Sequence, residues 1–424
     1  MDNKKNHEKN NKNYQNITSC LLCDSTNLKK LFSVGEVCLT GYFPLKDEND
    51  PIKTPVSLAR CSSCNNVQAQ ALVKPDLMFR DYWYRSSTTR TMRNHLKDTV
   101  KKVIKPGGVL LDIGSNDGTL LDIAEQKGME VWGVEPSDAL KDAPLNIKEK
   151  TVNMFFGSSE CDQFFQKKKV KFDVITAISM FYDVAEPLKF IEKARDLLTQ
   201  EGLMLIEVNY AKSFFERQNV DMLGQEHLIY YFIETFDDLI SQADLFINDA
   251  YLTDMNGGNI TFTISRVDKK SERYQVLANE EKSWMSNFNF ENFEEIVRNG
   301  FDKFKEKVIS LSKSNTVKVL GASTRGAMII QMLGLDSRVI TTAVDLQRNK
   351  TGRRISGTDI LIEFDGEHDA PDYYLVMPYQ FRTEIISRYL DFMKSGGGLL
   401  FYRPTQEVIA YDNETNKIKY TPII

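Results

Sequence analysis

Short apolar runs alternate with stretches of helical periodicity along most of the chain. The run "VLLDIG" at 109–114 is almost continuously apolar and ends in glycine, which predicts a buried parallel strand. The stretch "TLLDIAEQKG" that follows has apolar residues at helical spacing and a glycine stop at Gly128. The next run, "MEVWGVEPS", predicts a second strand that ends at Glu135. Together they predict a strand–helix–strand unit in which a glycine turn leads into the helix.

The same alternation continues towards the C-terminus. A strand is predicted at 172–178, a helix at 187–198 and another strand at 202–208. After a helical connector, "TVKVLGASTRGAMIIQMLGL" predicts a strand, a glycine-bounded loop and a helix, and three more strands are predicted in "ITTAVDL", "PDYYLVMPYQFR" and "GGGLLFYRP". Alternating strands and helices form doubly wound, mainly parallel sheets, so the pattern predicts an α/β protein with two such domains.

The length of the chain also requires several domains. With 424 residues it exceeds one ordinary hydrophobic core. We predict a polar, disordered tail at 1–16, a small cysteine-bearing segment at 17–75, a first α/β domain at 76–268 and a second α/β domain at 269–424.

Four cysteines in the small segment form two CxxC pairs. Cys20 and Cys23 make the first pair, and Cys61 and Cys64 make the second. Two such pairs predict one tetrahedral site with four thiolate ligands, which closes the coordination shell of a structural zinc ion. The alternative is two independent redox or core pairs, although a segment this small would then lack a core.

Composition narrows the range of partners. Hydrophobic residues make up 42% of the chain and charged residues 27%, as in globular proteins. A net charge of −5 disfavours nucleic-acid partners, and no run of 18 apolar residues predicts a membrane span. The polar N-terminus lacks the apolar region of a signal peptide, so we expect a cytoplasmic protein. Modules around one cleft do not require a partner subunit, so a monomer is compatible with the sequence.

The glycine turn after the first predicted strand is a candidate cofactor site. It lacks GxGxxG, which disfavours NAD, and Asp117 would repel a diphosphate while tolerating the ammonium and sulfonium groups of S-adenosylmethionine. Glu135 is placed to accept hydrogen bonds from ribose hydroxyls. The alternative is a purely structural connection. The turn residues are Gly114, Ser115, Asn116, Asp117 and Gly118.

The segment "GQEHLIYYF" contains one of only four histidines in the chain. His227 admits three interpretations: a buried core side chain, a metal ligand or a catalytic base. A zinc ligand is disfavoured because the four cysteines already complete a site. The position of His227 beside Glu226, after a loop at the carboxyl edge of the predicted sheet, favours a proton acceptor whose tautomer the carboxylate orients.

The second α/β domain carries a candidate anion site. The start of its first helix and the basic loop that follows the next strand are suited to a diphosphate, the alternative being a solvated basic loop. The candidate substrate-binding residues are Tyr230, Ser323, Arg325, Asp345, Arg348, Lys350 and Arg382.

Taken together, these motifs resemble the sugar C-methyltransferases, which use S-adenosylmethionine to methylate a carbon of a nucleotide-activated 4-keto-hexose. The resemblance rests on both CxxC pairs, "YWYRSSTTRTMRNHL", "DIGSNDGTLL", "GVEPS", "ISMFYD", "GQEHLIYYF", "NGGN", "GASTRG" and "PDYYLVMPYQFR", which span nearly the whole chain in the family's order. It implies a zinc-binding segment, a central class I methyltransferase domain and a C-terminal Rossmann-like domain, with the sugar nucleotide bound between the last two.

The resemblance also implies roles for individual residues. His227 is the expected base and Glu226 its acidic partner, while Tyr84 and Ser86 lie near the site of methyl transfer. Many relatives carry a histidine where this chain has Tyr182 and Asp183, which leaves an assisting role at that loop open. Positions that match cofactor-binding residues are Gly114, Asn116, Asp117 and Glu135, and Ser115, Gly118, Ser86 and Ser179 are taken with them.

The expected reaction is methylation, at C-3, of the enolate of a 4-keto-6-deoxyhexose bound to a nucleoside diphosphate, for branched deoxysugar biosynthesis. The main alternative is an O- or N-methyltransferase acting on a sugar or small metabolite, which needs the same cofactor site but no proton removal from carbon. A nicotinamide-dependent oxidoreductase and a zinc-dependent nucleic-acid module are less consistent with the motifs.

Overall fold

The computed structural model describes residues 13–79 and 83–423. Most of the expected tail, residues 1–12, lies outside this range. Its last part does not match the expectation, because Tyr14–Asn16 (β1) form a strand that pairs with 71–73 and so satisfies their backbone hydrogen-bonding groups.

The N-terminal segment is built around a small antiparallel sheet. Three of its strands pair in the order β4, β3, β2, and Ile229–Tyr230 from the middle of the chain pair with β4 as the edge strand. The sheet is therefore completed by residues far outside 17–75. The elements after β1 are Leu28–Cys38 (β2), Lys53–Cys61 (β3), Val67–Ala69 (β4), Ala71–Val73 (β5), Pro75–Phe79 (α1) and Arg90–Val103 (α2).

The central domain has the predicted doubly wound sheet, with seven strands in the order β12, β13, β10, β9, β6, β7, β8. The five strands from β10 to β8 are parallel, and β13 and β12 are antiparallel at one edge. The elements are Val109–Ile113 (β6), Thr119–Glu125 (α3), Glu130–Val134 (β7), Leu145–Lys148 (α4), Thr151–Val152 (β8), Ser159–Lys168 (α5), Phe172–Ile178 (β9), Pro187–Leu197 (α6), Leu198–Asn209 (β10), Ala211–Arg217 (α7), Ile229–Tyr230 (β11), Ile233–Gln242 (α8), Phe246–Thr253 (β12) and Asn259–Ser265 (β13).

The C-terminal domain contains a second sheet of seven strands, in the order β16, β15, β14, β17, β18, β19, β20. The first five strands are parallel, as predicted, whereas the last two are antiparallel additions. The elements are Glu272–Asn287 (α9), Phe293–Ser312 (α10), Val317–Leu320 (β14), Thr324–Leu333 (α11), Ala343–Asp345 (β15), Ile362–Phe364 (β16), Tyr373–Val376 (β17), Arg382–Arg388 (α12), Leu390–Lys394 (α13), Gly398–Phe401 (β18), Glu407–Asp412 (β19) and Lys417–Pro422 (β20).

One hydrophobic core joins the N-terminal sheet to the C-terminal domain. Phe32 and Phe43 belong to the same buried cluster as Phe293, Phe304 and Val319. The apolar stripe of α10 thus packs against β2 as well as against its own sheet. Among the described residues, no helix combines the length and the apolar character that crossing a bilayer requires.

Candidate active site

A cavity of about 800 Å³ lies between the two α/β domains. Its walls come from the glycine turn after β6, the loop after β9, the segment before β11, the start of α11 and the loop after β15. Four of these five are loops or turns at the carboxyl ends of parallel strands, where doubly wound sheets bind ligands. The volume suits a ligand of several hundred ångström³.

The glycine turn after β6 depends on its two glycines. Gly114 has φ +74°, and a Cβ there would lie 2.8 Å from Cγ of Met180. Gly118 also has φ +74°, and its Cβ would lie 2.6 Å from Ile147. Any larger residue would therefore displace the turn from the cavity wall. Ser115, inside the turn, lines the cavity, and its buried Oγ has no hydrogen-bond partner among the described residues.

Glu135 holds the glycine turn against the end of β7. One carboxylate oxygen accepts from the backbone N–H of Asn116 at 2.7 Å, and the other accepts from that of Ser137 at 2.8 Å. Glu135 is buried yet lines the cavity, and each oxygen keeps a second acceptor position. The residue can therefore fix the turn and still receive a ligand hydroxyl.

A second contact holds the segment at 84–87 on the same turn. The side-chain oxygen of Asn116 accepts from the backbone of Ser86 at 2.9 Å, and its amide donates to the carbonyl of Tyr84 at 3.2 Å. Asp117 accepts from the backbone of Ser87 at 2.8 Å. Tyr84 and Ser86 both line the cavity, so the structure brings them to the predicted cofactor turn.

The carboxylate of Asp117 does not face the cavity, although its charge predicted a contact with a cationic cofactor. Its carboxylate accepts from Ser87 and from the hydroxyl of Thr119, at 2.6 Å, and neither Asp117 nor Gly118 lines the cavity. The expectation that this charge faces a cationic cofactor is corrected, because the carboxylate is used to hold the backbone and the start of α3.

His227 is buried in the cavity wall with a defined tautomer. Its Nδ1 lies 2.6 Å from the carbonyl oxygen of Met222, to which it donates, so Nε2 keeps its lone pair. Burial lowers the pKa of His227, against the opposing effects of Glu226 and the Met222 carbonyl. The imidazole is therefore neutral near pH 7, as a proton acceptor must be.

Glu226 does not orient that imidazole. Its carboxylate folds back over Gly224, where an added Cβ would lie 2.6 Å from it, and it lines the cavity. The hydrogen bond that fixes the ring goes to Met222, because the turn at 222–224 brings that carbonyl under His227. The expected orienting role of Glu226 is thus wrong, although its charge still favours protonation of His227.

Tyr230 is not positioned to contact a substrate. Its side chain is fully buried, its hydroxyl donates to the Met222 carbonyl at 2.7 Å, and its ring packs against Phe214. The prediction of a substrate contact fails because β11 is covered on this face by the hydrophobic core, into which it turns this side chain. The hydroxyl shares its acceptor with His227.

The segment before β11 is anchored to the N-terminal sheet. Gln225 donates to the carbonyl of Cys38 at 3.2 Å and accepts from the hydroxyl of Thr40 at 3.2 Å. On the other side of His227, the carbonyl of Leu228 accepts from Ala69 of β4 at 2.8 Å. The position of His227 is therefore set from both sides by the cysteine-bearing segment.

Ser179 takes part in a buried polar network around Glu207, which the sequence did not reveal. Its hydroxyl donates to Glu207 at 2.9 Å, and Asn259 donates to the same carboxylate at 3.0 Å. Nε2 of His95 lies 2.9 Å from the other oxygen of Glu207. Burial alone would raise the pKa of Glu207, but His95 and the other donors lower it overall. The sequence offered one signal for this network, which is the position of Glu207 in "EVNY", at the carboxyl end of β10.

The wall from the C-terminal domain is formed around a buried ion pair. Arg325, on α11, donates from Nε to Asp221 at 2.7 Å, and its Nη1 is buried without a partner among the described residues. Ser323 caps α11 by accepting from Gly326 at 3.0 Å. Lys350 donates to the carbonyl of Ala322 at 2.7 Å. Ser323, Arg325, Asp345 and Lys350 all line the cavity.

The remaining predicted basic residues point elsewhere. Arg348 pairs with Glu367 at 2.7 Å and Arg382 pairs with Glu407 at 2.8 Å, and neither lines the cavity. Arg353 donates to the carbonyl of Phe43 at 2.8 Å. The expected roles of Arg348 and Arg382 in substrate binding are corrected, because both side chains lie outside the cavity wall and each forms an ion pair there. Through Arg353, the basic loop also binds the N-terminal segment.

The four cysteines of the CxxC pairs meet in one cluster. All four Sγ atoms lie within 4.8 Å of one another. The separation is 3.5 Å between Cys20 and Cys64 and 3.7 Å between Cys23 and Cys61. A tetrahedron of thiolates at about 2.3 Å from zinc has edges of about 3.8 Å, so the donor set and its spacing fit the ion.

Two family models match consecutive parts of the chain. Residues 84–249 match a methyltransferase domain, and residues 254–404 match a C-methyltransferase C-terminal domain. The C-methyltransferase NovU of Streptomyces niveus is 24% identical over 416 residues, which cover 94% of this chain and 98% of NovU. The ubiquinone biosynthesis O-methyltransferase of Histophilus somni is 25% identical over 174 residues, 39% of this chain and 72% of that protein.

Solved structures match part of the chain at low overall similarity. The magnesium protoporphyrin IX methyltransferase from Synechocystis, with S-adenosylhomocysteine bound, has a TM-score of 0.34 and 11% identity, and covers 43% of this chain and 90% of that one. The mitomycin 7-O-methyltransferase MmcR has a TM-score of 0.33 and 14% identity, and covers 42% of this chain and 54% of that one.

Proposed function

The chain belongs to the C-methyltransferase family, and on that basis we propose that it methylates C-3 of a 4-keto-6-deoxyhexose carried on a nucleoside diphosphate. The observation that carries the proposal is the tautomer of His227, which leaves Nε2 unprotonated on a side chain that lines the interdomain cavity. Methylation of carbon requires a base, whereas methylation of a hydroxyl or amine does not require proton removal from carbon.

The first step assigned to His227 is removal of the proton from the carbon next to the ketone. The electron pair of the broken C–H bond moves into the enolate, whose oxygen needs a hydrogen-bond donor. When bound, S-adenosylmethionine supplies an electrophilic methyl group, and the sulfur–methyl bond breaks as the new carbon–carbon bond forms. His227 retains the proton until solvent removes it. General base catalysis of this kind contributes about 10²–10⁴ in rate.

The glycine turn fits S-adenosylmethionine as the methyl donor. Gly114 leaves space in the cavity wall that a Cβ would fill, and Ser115 presents a buried hydroxyl with no partner among the described residues. Glu135 would accept hydrogen bonds from the ribose, while Asn116 holds Tyr84 and Ser86 beside the turn. We assign Tyr84 to the neighbourhood of the methyl group on this basis.

The wall around Arg325 is proposed to bind the nucleotide part of the substrate. Arg325 keeps a buried N–H with no acceptor among the described residues, which suits a phosphate oxygen. The hydroxyl of Ser323 and the carboxylate of Asp345 lie in the same wall. The similarity to NovU extends over nearly all of both proteins and so includes this domain.

The cysteine cluster is proposed to hold a structural zinc ion. Its four thiolates would close the coordination shell, which leaves no position for substrate. The ion would fix the N-terminal segment, to which the His227 loop is anchored. No step of the reaction passes through it.

The proposal is tested by mass spectrometry with a panel of nucleotide-linked 4-keto-hexoses deuterated at C-3 and with methyl-labelled S-adenosylmethionine. We expect a product that has gained one labelled methyl group on carbon and lost the deuterium. A product methylated on oxygen or nitrogen, with its deuterium retained, would instead establish the O- or N-methyltransferase alternative.

A further inference from the structure

Asp183 and His227 both line the cavity. It ends the 3₁₀ turn Phe181–Asp183 after β9, and its backbone N–H donates to Met180 at 3.0 Å. The preceding residue, Tyr182, accepts from the backbone of Leu228 at 2.9 Å, and its ring meets the imidazole of His227 edge-on with centroids 4.7 Å apart. The loop of Asp183 and the segment of His227 are thus fixed to each other.

The carboxyl group of Asp183 has an unused oxygen. Oδ1 is buried, and no hydrogen-bond partner for it exists among the described residues, although Asp183 lines the cavity. An unpaired carboxylate is much less favourable in a protein interior than the neutral acid. Orphaned polar atoms of this kind call for a ligand or a functional explanation.

The charges around Asp183 also favour its neutral form. Burial raises the pKa of Asp183 well above its ordinary value, and the nearby carboxylate of Glu226 raises it further. The other titratable groups nearby are His227, which is neutral, and the phenols of Tyr230 and Tyr231, whose pKa values are raised mainly by burial. Arg325 is close enough to influence His227 and Tyr230 but not to reverse the effect on Asp183.

We propose that Asp183 is a neutral carboxylic acid that donates a hydrogen bond to the ketone oxygen of the substrate as the enolate forms. The inference rests on the proposed function. His227 takes the proton from carbon, the electron pair moves towards oxygen, and the O–H of Asp183 stabilises the charge that develops there. The proton stays with Asp183, and the hydrogen bond weakens when methylation restores the ketone. Base and acid would thus act from two contacting segments that both line the cavity.

The test compares Asp183→Asn with Asp183→Ala. Asparagine keeps an N–H donor without a charge, whereas alanine removes the donor. Loss of one oxyanion donor typically costs about 10²–10³ in kcat, so we expect that loss for Asp183→Ala and at least tenfold more activity for Asp183→Asn. The wild-type enzyme should lose kcat at high pH as Asp183 ionises, and Asp183→Asn should lack that limb.

A direct measurement of protonation accompanies the kinetics. With S-adenosylhomocysteine bound at pH 7, the infrared difference between wild-type protein and Asp183→Asn should show the carbonyl band of a protonated carboxylic acid. A carboxylate band in its place would overturn the proposal even if Asp183→Ala failed to fold. Equal inactivity of the Asn and Ala variants, with cofactor binding intact, would also overturn it.

Failure of this inference is distinguishable from failure of the proposed function. Release of C-3 deuterium by the wild-type enzyme depends on the proposed function alone. If the wild-type enzyme releases no label, the C-methylation of a keto sugar is wrong, and Asp183 loses its assigned partner. If it releases label while the Asp183 variants behave contrary to expectation, only the role of Asp183 is wrong.

Discussion

The side-chain amide of Gln225 donates to the backbone carbonyl of Cys38 across a contact of 3.2 Å. Because Gln225 precedes His227 by two residues, this contact ties the segment of His227 to β2. We expect Gln225→Ala to lower kcat about tenfold or more while S-adenosylmethionine binding is unchanged, since removing one partner of a buried hydrogen bond costs about 1–3 kcal/mol. Steady-state kinetics and calorimetry test this. Gln242→Ala, at the exposed end of α8, is the matched control, and an equal loss there would contradict the tether.

His227 is expected to be indispensable for turnover. His227→Gln should lose about 10²–10⁴ in kcat and keep its affinity for S-adenosylmethionine, because the glycine turn is separate from the imidazole. Near wild-type turnover would remove His227 from the mechanism. Deuterium release from the substrate, measured alongside, should fall in parallel.

The same histidine sets a pH dependence with a definite sign. Burial lowers the pKa of His227 below 6.5, so its neutral form persists in mild acid and the acidic limb of kcat/KM should lie below pH 6.5. In the unfolded chain the residue takes a proton near pH 6.5, so the free energy of unfolding should fall as the pH drops below that value. His227→Gln should lack this contribution, which denaturant titrations at pH 5 and pH 7 would measure.

Glu135 is expected to control cofactor affinity through the backbone. In Glu135→Gln, one side-chain acceptor becomes an amide that faces the N–H of Asn116 or Ser137. Loss of such a buried bond costs about 1–3 kcal/mol, so the Kd for S-adenosylmethionine should rise roughly tenfold to a hundredfold. Glu130→Gln, at the exposed start of β7, the strand that Glu135 follows, should bind normally, and a similar loss in that control would count against a local effect.

Loss of zinc is expected to destabilise the segment of His227, because β4 of the cysteine-bearing segment pairs with β11. Cys61→Ser should lower the bound zinc, measured by atomic absorption, and speed amide hydrogen exchange at Ile229 and Tyr230, which pair with β4. Cys161→Ser, in the core of the central domain, is the control and should keep its zinc. Unchanged amide exchange in a zinc-free protein would show that the zinc site does not stabilise the pairing of β11 with β4.

The assignment of the nucleotide wall predicts unequal effects among the arginines. Arg325→Lys keeps the charge but loses the planar fork, and KM for the sugar nucleotide should rise about tenfold. Arg348→Ala removes an exposed ion pair. Arg382→Ala removes a largely buried one. Both pairs lie outside the cavity, so KM should stay within about twofold. A large rise in KM in Arg382→Ala would indicate that Arg382 does bind the sugar nucleotide.

The periodicity of the sequence predicted local structure well and long-range contacts poorly. The strand at Phe172–Ile178 and the glycine turn after β6 follow from short apolar runs and glycine spacing, which are local signals. The hydrogen-bond acceptor of His227 is a carbonyl in a non-repetitive turn. The hydrogen bond from Arg353 to the carbonyl of Phe43 joins residues more than 300 positions apart. Neither leaves a periodic trace. The strands β19 and β20 were missed because they extend the sheet as antiparallel additions after the regular alternation ends.

The edge strand Ile229–Tyr230 has a consequence for how the chain folds during synthesis. The N-terminal residues leave the ribosome first, yet their sheet lacks its fourth strand until more than 150 further residues have been made. The apolar face of that sheet becomes fully buried only when α10 and the C-terminal sheet, with which it shares a core, have been made. Contacts so distant along the chain form slowly and late. The segment of His227 is thus assembled among the last steps, and we expect that a shortened nascent chain cannot bring the glycine turn after β6 and His227 into one cavity.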